Sequence, residues 1–202
     1  EAELEKSLNK SKRAQYVYDN WIKHKQLRTL GFCASINHCE FMKEFFISKG
    51  VKAVAVHSKS ETNRGEAIRK LTEKKIDIIF SVDLFNEGVD IPSVDTIMML
   101  RPTESKIIFI QQFGRGLRIH SEKKFVKIID FIGNHKTFLE KPAALFNFDL
   151  TAKKMGKFIK KYKENALDLP DESRIFYDPE TIDFFKKFSL KMKKEEYLKF
   201  EN

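Results

Sequence analysis

The chain has 202 residues, 42% hydrophobic and 33% charged, enough for one well-cored domain with an appendage or for two small ones. It contains no low-complexity tract, and no apolar run approaches the roughly 20 residues of a membrane-spanning helix, so no membrane role is expected. A net charge of +9, spread along the chain, permits nucleic-acid binding by counterion release and equally fits a solvated, lysine-rich surface.

In chain order, residues 4 to 26 place Leu4, Leu8, Ala14, Val17, Trp21 and Ile22 at near-helical spacing and predict an amphipathic helix. TLGFCAS (29–35) reads as a buried strand. Asn37 is placed to cap the next helix, HCEFMKEFFISK, which ends at Gly50. VKAVAV (51–56) is a further strand, and residues 63–73 (NRGEAIRKLTE) a further helix. IDIIFSV (76–82), β-branched and apolar throughout, reads as a central parallel strand. The alternation continues with VDTIMML (94–100), a helix from about Ser105 to Gly116, and FVKIIDFI (125–132).

This order predicts an α/β fold, a parallel sheet with helices on both faces. In such sheets, sites gather at the carboxyl ends of the strands. The loops after Ser35, Val56 and Val82, and residues 111–118, should therefore share one edge. Beyond Lys141-Pro142 the pattern changes to Lys- and Phe-rich helical stretches at 150–165 and 179–200, with the linker DLPDES (168–173) between them. This predicts a helical extension in which Phe176, Phe184, Phe185 and Phe188 serve packing.

Cys33 and Cys39 cannot build a disulfide framework, and they lack the further ligands of a zinc site. Cys33, inside an apolar run, reads as a small buried hydrophobe. Such usage fits a reducing compartment, and a cytoplasmic location is expected. Residue 1 is Glu rather than Met and no signal peptide is present, so the chain reads as a piece of a longer protein.

No phosphate-binding loop G-x-x-x-x-G-K-[ST] is present, since Gly156-Lys157 is followed by Phe158 and residue 151 is not glycine. Asp171-Glu172 follows Pro170 in a polar linker and does not suit a magnesium ion. Nucleotide hydrolysis by this chain alone is not expected. Two stretches do carry chemistry. SVDLFNEGVDIP (81–92) follows the strongest strand, with Asp83 just beyond it, Gly88 allowing close backbone approach, and Asp90 before Ile-Pro. A carboxylate there suits a ribose hydroxyl and a backbone turn suits a phosphate, while a tight turn with polar filler is the plain alternative. QQFGRGLR (111–118) sets Arg115 and Arg118 one helical turn apart, beside Gly114 and Gly116. Planar guanidinium forks suit developing phosphoryl charge, and a surface salt bridge is the alternative.

Together the two stretches resemble the last two signature motifs of superfamily-two helicases and translocases. FNEGVDIP resembles the fifth motif, and Gln111 to Arg118 match the sixth, Q-x-x-G-R-x-x-R, at each fixed position. LGFCAS with INHCEFMKEFF resembles motif four, and AVHSKSETNR (55–64) resembles the strand and His-x-x-x-x-x-x-Arg approach that follows. RPTES and DFIGNHK resemble restriction-type and repair-type members. The resemblance covers roughly residues 28–138.

It implies the second RecA-like lobe of a two-lobed motor, a three-layer parallel sheet of the P-loop NTPase type. Residues 1–27 would form a helix leading in, 28–148 the lobe, and 149–202 a helical extension. Arg115 and Arg118 would be arginine fingers toward ATP, and Gln111 would orient that network. Gly88, Asp90 and Gly114 would contact the nucleotide, with Asp90 on the ribose. Ser35, His57, Ser81, Val82 and Asp83 would line the nucleic-acid track. Val82 stands where the family often has Thr, so Ser81 or a backbone amide would supply that contact. ATP with Mg2+ would be held mainly by a first RecA-like lobe of the same parent chain, and no metal by these residues. DNA is favoured over RNA as the polymer. The rival expectation is a non-catalytic nucleic-acid-binding or protein-interaction module that keeps the fold.

Overall fold

The computed structural model describes residues 2–82, 94–101, 125–131, 139–169 and 174–198, which fall into two compact units. The first contains α1 (Ala2–His24), β1 (Thr29–Phe32), α2 (Ile36–Ser48), β2 (Ala53–Val56), α3 (Arg64–Thr72), β3 (Ile78–Ser81), β4 (Thr96–Met99) and β5 (Lys127–Asp130). The five strands are parallel in the order β2-β3-β1-β4-β5. The expected helix from Ser105 to Gly116 lies outside the described residues.

Side chains alternate across this sheet with the period of two that pleating imposes. Ala53, Ala55, Ile78, Phe80, Met98 and Phe131 join Cys33 on one face, where they meet Ala14, Val17 and Trp21 of α1 and Cys39, Met42 and Phe46 of α2. Residues one position off, Leu30, Phe32, Val56, Ile79, Ile97 and Met99, are buried on the other face. There α3 contacts β2 and β3 and buries Ala67 and Leu71. Burial on both faces is why these strands read as continuous apolar runs. Phe46 centres the first layer, with ring centroids 4.9 Å from Phe80 and 5.1 Å from Trp21. Gly31 makes this possible, because a Cβ there would stand 2.9 Å from the Phe80 ring.

Two expectations are corrected. Ile22 is exposed, since one residue beyond Trp21 turns it about 100° away from the sheet. The cap of α2 is Ser35 rather than Asn37: the Ser35 hydroxyl accepts the His38 N–H at 3.2 Å, and Asn37 falls in the first turn. Gly50 does end the helix region, at φ +81°, with its N–H on the Ile47 carbonyl and the Val51 N–H on that of Phe46.

The second unit contains α4 (Glu140–Leu145), α5 (Ala152–Lys163) and α6 (Pro179–Leu198). Thr151 caps α5 by accepting the Lys154 N–H, and Asp178 accepts the Thr181 N–H at the start of α6. Its core joins Leu139, Met155, Phe158, Ile159, Ile182 and Phe185, with Phe146, Phe148, Phe184 and Phe188 packed against it. Phe176 departs from the packing role expected of it and is 83% exposed. Among the described residues no helix is long and apolar enough to cross a membrane.

Candidate nucleic-acid edge of the sheet

Register alone brings the expected positions to one edge. Phe32 pairs with both Ser81 and Met99, Val56 with Ser81, and Met99 with Asp130, so the chain leaves each strand at the same level. Ser35, His57, Ser81 and Val82 therefore stand at the carboxyl ends of neighbouring strands. Asp83, Gly88, Asp90, Gln111, Gly114, Arg115 and Arg118 lie outside the described residues.

The four described residues differ in what they can touch. Ser35 is exposed and holds the first turn of α2. Val82 is half-buried against the core, with its N–H on the Val56 carbonyl. Ser81, expected to offer its hydroxyl to a strand, is fully buried and donates it to the Val56 carbonyl at 3.0 Å instead. A polar group at that depth needs an internal partner, and the neighbouring strand supplies it.

His57, expected on the track, is only 6% exposed and is committed within the unit. Its Nδ1 accepts the Lys59 N–H at 3.2 Å, which leaves Nε2 to donate to the Glu40 carboxylate at 2.7 Å. Its backbone N–H meets the Ser60 hydroxyl, which in turn donates toward the carbonyls of His57 and Thr62. His57 thus ties the turn after β2 to α2. Glu40 also pairs with Lys43, and these bonds, Lys43 first and His57 second, hold its carboxyl below the usual range.

Beside this network, a groove of about 320 Å³ runs over the ends of β1, β4 and β5. Its floor is apolar, from Val17, Phe41, Met42, Leu100 and Phe131, and its rim carries Ser35, Asn37, His38, Lys10 and Arg13. Lys10 and Arg13 have no acidic partner among the described residues. His38 Nδ1 accepts the Ala34 N–H, and burial, then Arg13, then Lys10, hold its imidazole below the ordinary value. Donors and positive charge at a helix amino terminus suit an anion. Among the described residues no cluster of three or more His, Cys, Asp or Glu could hold a metal ion.

Comparison with known proteins settles the family. Residues 10–120, more than half the chain, match the model of the helicase conserved C-terminal domain. The chain belongs to the helicase conserved C-terminal domain family. IRC3 of Saccharomyces cerevisiae, named as an ATP-dependent helicase, is 31% identical over 137 residues, covering 65% of this chain and 20% of that protein. UvrABC system protein B of Fusobacterium nucleatum is 34% identical over 85 residues, 39% of this chain and 13% of its own length. The chain thus spans about a fifth or less of the length of these relatives.

Among solved structures, the Escherichia coli DEAD-box protein SrmB superposes with a TM-score of 0.54 at 18% identity, covering 65% of this chain and 77% of that one. The yeast DEAD-box splicing factor Prp28 gives 0.58 at 15% identity, with 86% and 34% covered. Both share the parallel RecA-like sheet of the helicase C-terminal lobe.

Within this helicase lobe, sequence reasoning missed Glu40, Lys10, Arg13 and His38. Glu40 is 17 positions from His57, a contact no local pattern reveals. Lys10 and Arg13 did carry a signal: they stand four and one residues before the buried Ala14, on the flank of the stripe that faces the sheet.

Proposed function

We propose that the chain is the second motor lobe of an ATP-dependent nucleic-acid helicase or translocase. The observation that carries this reading is the Q-x-x-G-R-x-x-R pattern at 111–118, inside the segment that matches the helicase C-terminal family. Arg115 and Arg118 face the terminal phosphate of a nucleotide held on the first lobe, where a fixed guanidinium stabilises charge developing in transfer. Gln111 orients the two arginines, Gly88 and Gly114 let the backbone approach, and Asp90 accepts from the ribose. ATP with Mg2+ supplies the phosphoryl-transfer chemistry when bound. Closing and reopening of the two lobes then advances the protein along a strand.

The track on this lobe is the groove edged by Lys10, Arg13 and Ser35, and the family pattern adds Val82 and Asp83 to it. His57 and Glu40 contribute by holding the adjoining turn, and Ser81 by fixing the strand ends. Contacts of this kind read phosphates, so tracking is independent of base sequence. DNA is proposed over RNA on the resemblance of RPTES and DFIGNHK to restriction-type and repair-type members, and the protein is placed in the cytoplasm. The helical extension is drawn from Leu139 rather than from residue 149 in this reading, because Leu139 is in the second unit's core and Phe146 and Phe148 pack against it.

The test uses the whole protein. Arg115→Ala and Arg118→Ala are each expected to lower nucleic-acid-stimulated ATP hydrolysis by about a thousandfold or more. Unchanged turnover in both would sink the finger assignment and favour a non-catalytic module. The 202-residue chain by itself should hydrolyse no ATP, and clear turnover would overturn its placement as one half of a composite site.

A further inference from the structure

Helix α5, AKKMGKFIKKYK, has six lysines and no acidic residue. Its apolar side, Met155, Phe158 and Ile159, is buried in the second unit, while all six lysines are exposed. Lys154 pairs with Asp149, and Lys160 lies 3.9 Å from Glu164. Lys153, Lys157 and Lys161 have no acidic partner among the described residues. Four apart, they rise about 6 Å per step and keep within an arc of about 80° on one side of the helix. Like charges at this spacing repel, so a face left to water gains nothing from the arrangement. Helix α6 is built differently: it carries acidic residues, Glu180 and Asp183, ahead of its first lysine, and Lys186 bonds Asp183 at 2.6 Å.

A second feature stands at the end of this stripe. The Tyr177 N–H bonds the Tyr162 hydroxyl at 3.0 Å, which holds the segment before α6 against the last turn of α5. The next residue toward the amino terminus, Phe176, is 83% exposed. Cations that follow a polyanion, together with an aromatic face open to a base, are what sequence-independent single-strand binding requires. A membrane surface would need the apolar side of α5, which is already used in the core.

We propose that the Lys153–Lys157–Lys161 face of α5 binds the sugar-phosphate backbone of a single nucleic-acid strand, with Phe176 as a stacking platform for a base. This contact needs neither nucleotide nor a first lobe, so its failure leaves the motor reading standing, and the reverse holds too.

The test is the affinity of the full chain for a fluorescent oligo-dT across a salt series, without nucleotide. Changing Lys153, Lys157 and Lys161 together to Glu should weaken binding at least tenfold. The slope of log affinity against log salt should become shallower by about 2, at roughly 0.7 per lost phosphate contact. A control with Lys23, Lys52 and Lys187 changed to Glu, an equal change of net charge on other surfaces, should stay within about threefold with its slope retained. The triple Lys→Gln variant on α5 gives the same slope change with less repulsion, and serves if the Glu variant does not fold. Phe176→Ala should weaken binding with the slope unchanged, because stacking releases no counterions. Equal weakening by both Glu triples, or none by the α5 set, overturns the proposal. So does α5-dependent binding to phosphatidylserine vesicles without α5-dependent binding to oligo-dT.

Discussion

At the amino ends of the strands, polar groups meet partners inside the first unit. The Asp95 carboxylate accepts the backbone N–H groups of Leu27 and Arg28, at 3.1 and 2.9 Å. Thr96 takes the Gln26 N–H and bonds Asp95, while the Trp21 indole N–H lies on the Thr29 hydroxyl at 2.9 Å. At the carboxyl ends the same backbone leaves a groove whose rim holds Lys10 and Arg13 with no acidic partner among the described residues. The difference teaches how one sheet divides labour. Where bonds are satisfied internally, a substitution costs stability. Where donors and charge are left over, it should cost binding instead.

The largest effect tests the closed side. Phe46→Ala removes the ring at the centre of the layer and should destabilise by about 3–5 kcal/mol. Asp95→Ala strands the buried N–H of Arg28 and removes the partner of the more exposed Leu27 N–H, and should cost about 1–3 kcal/mol. Both are read as a shift in the urea midpoint, with oligonucleotide affinity of the folded fraction unchanged. Gly31→Ala, which sets a methyl against the Phe80 ring, should cost about 1–3 kcal/mol and is measured the same way. The division breaks if any of these weakens binding while stability holds.

The open side predicts the inverse. Lys10→Ala with Arg13→Ala should leave the midpoint within about 0.5 kcal/mol. Oligonucleotide binding should weaken several-fold, with a shallower salt slope. Glu40→Ala lies between the two. It removes the acceptor of His57 and should cost about 0.5–1 kcal/mol, with faster amide exchange in residues 58–63, and Glu40→Gln should restore most of both.

The smallest effect is one of pH. His38 and His24 are held below the ordinary imidazole value, in each case by burial first, so the unfolded chain takes up protons that the folded one refuses. Stability should therefore fall as pH drops below about 6.5 and through the lower folded values. His38→Gln should flatten that slope in denaturation curves between pH 7.5 and 5.5. The lowered carboxyl of Glu40 acts in the same direction at more acid pH.

The strands were legible because burial on both faces leaves continuous β-branched and apolar runs, as in Ile78 to Phe80. The approximate spans of α1, α2, α3, α5 and α6 were legible too, from period and from Gly50, whereas the six-residue α4 was not, being too short to show a period. What escaped was set by geometry beyond a few residues. Ser35 and Asn37 are both good caps, and only the path out of β1 decides between them. Ser81 looks like an available hydroxyl until the neighbouring carbonyl of Val56 is in place. His57 looks like a surface ligand until α2 brings Glu40 to it. The motifs that mark the helicase family were plain in sequence, since they are fixed residues at fixed spacing.

Trp21 is the single tryptophan of the chain, 1% exposed and packed between α1, α2 and the sheet. Its emission is therefore a built-in reporter for one of the two units, with the other dark to it. A urea titration followed by tryptophan fluorescence, which reports the first unit, and by far-ultraviolet circular dichroism, which reports the helices of both, would separate melting of the two units. Coincident curves would mean that the two units unfold together. Split curves would give each its own stability without cutting the chain.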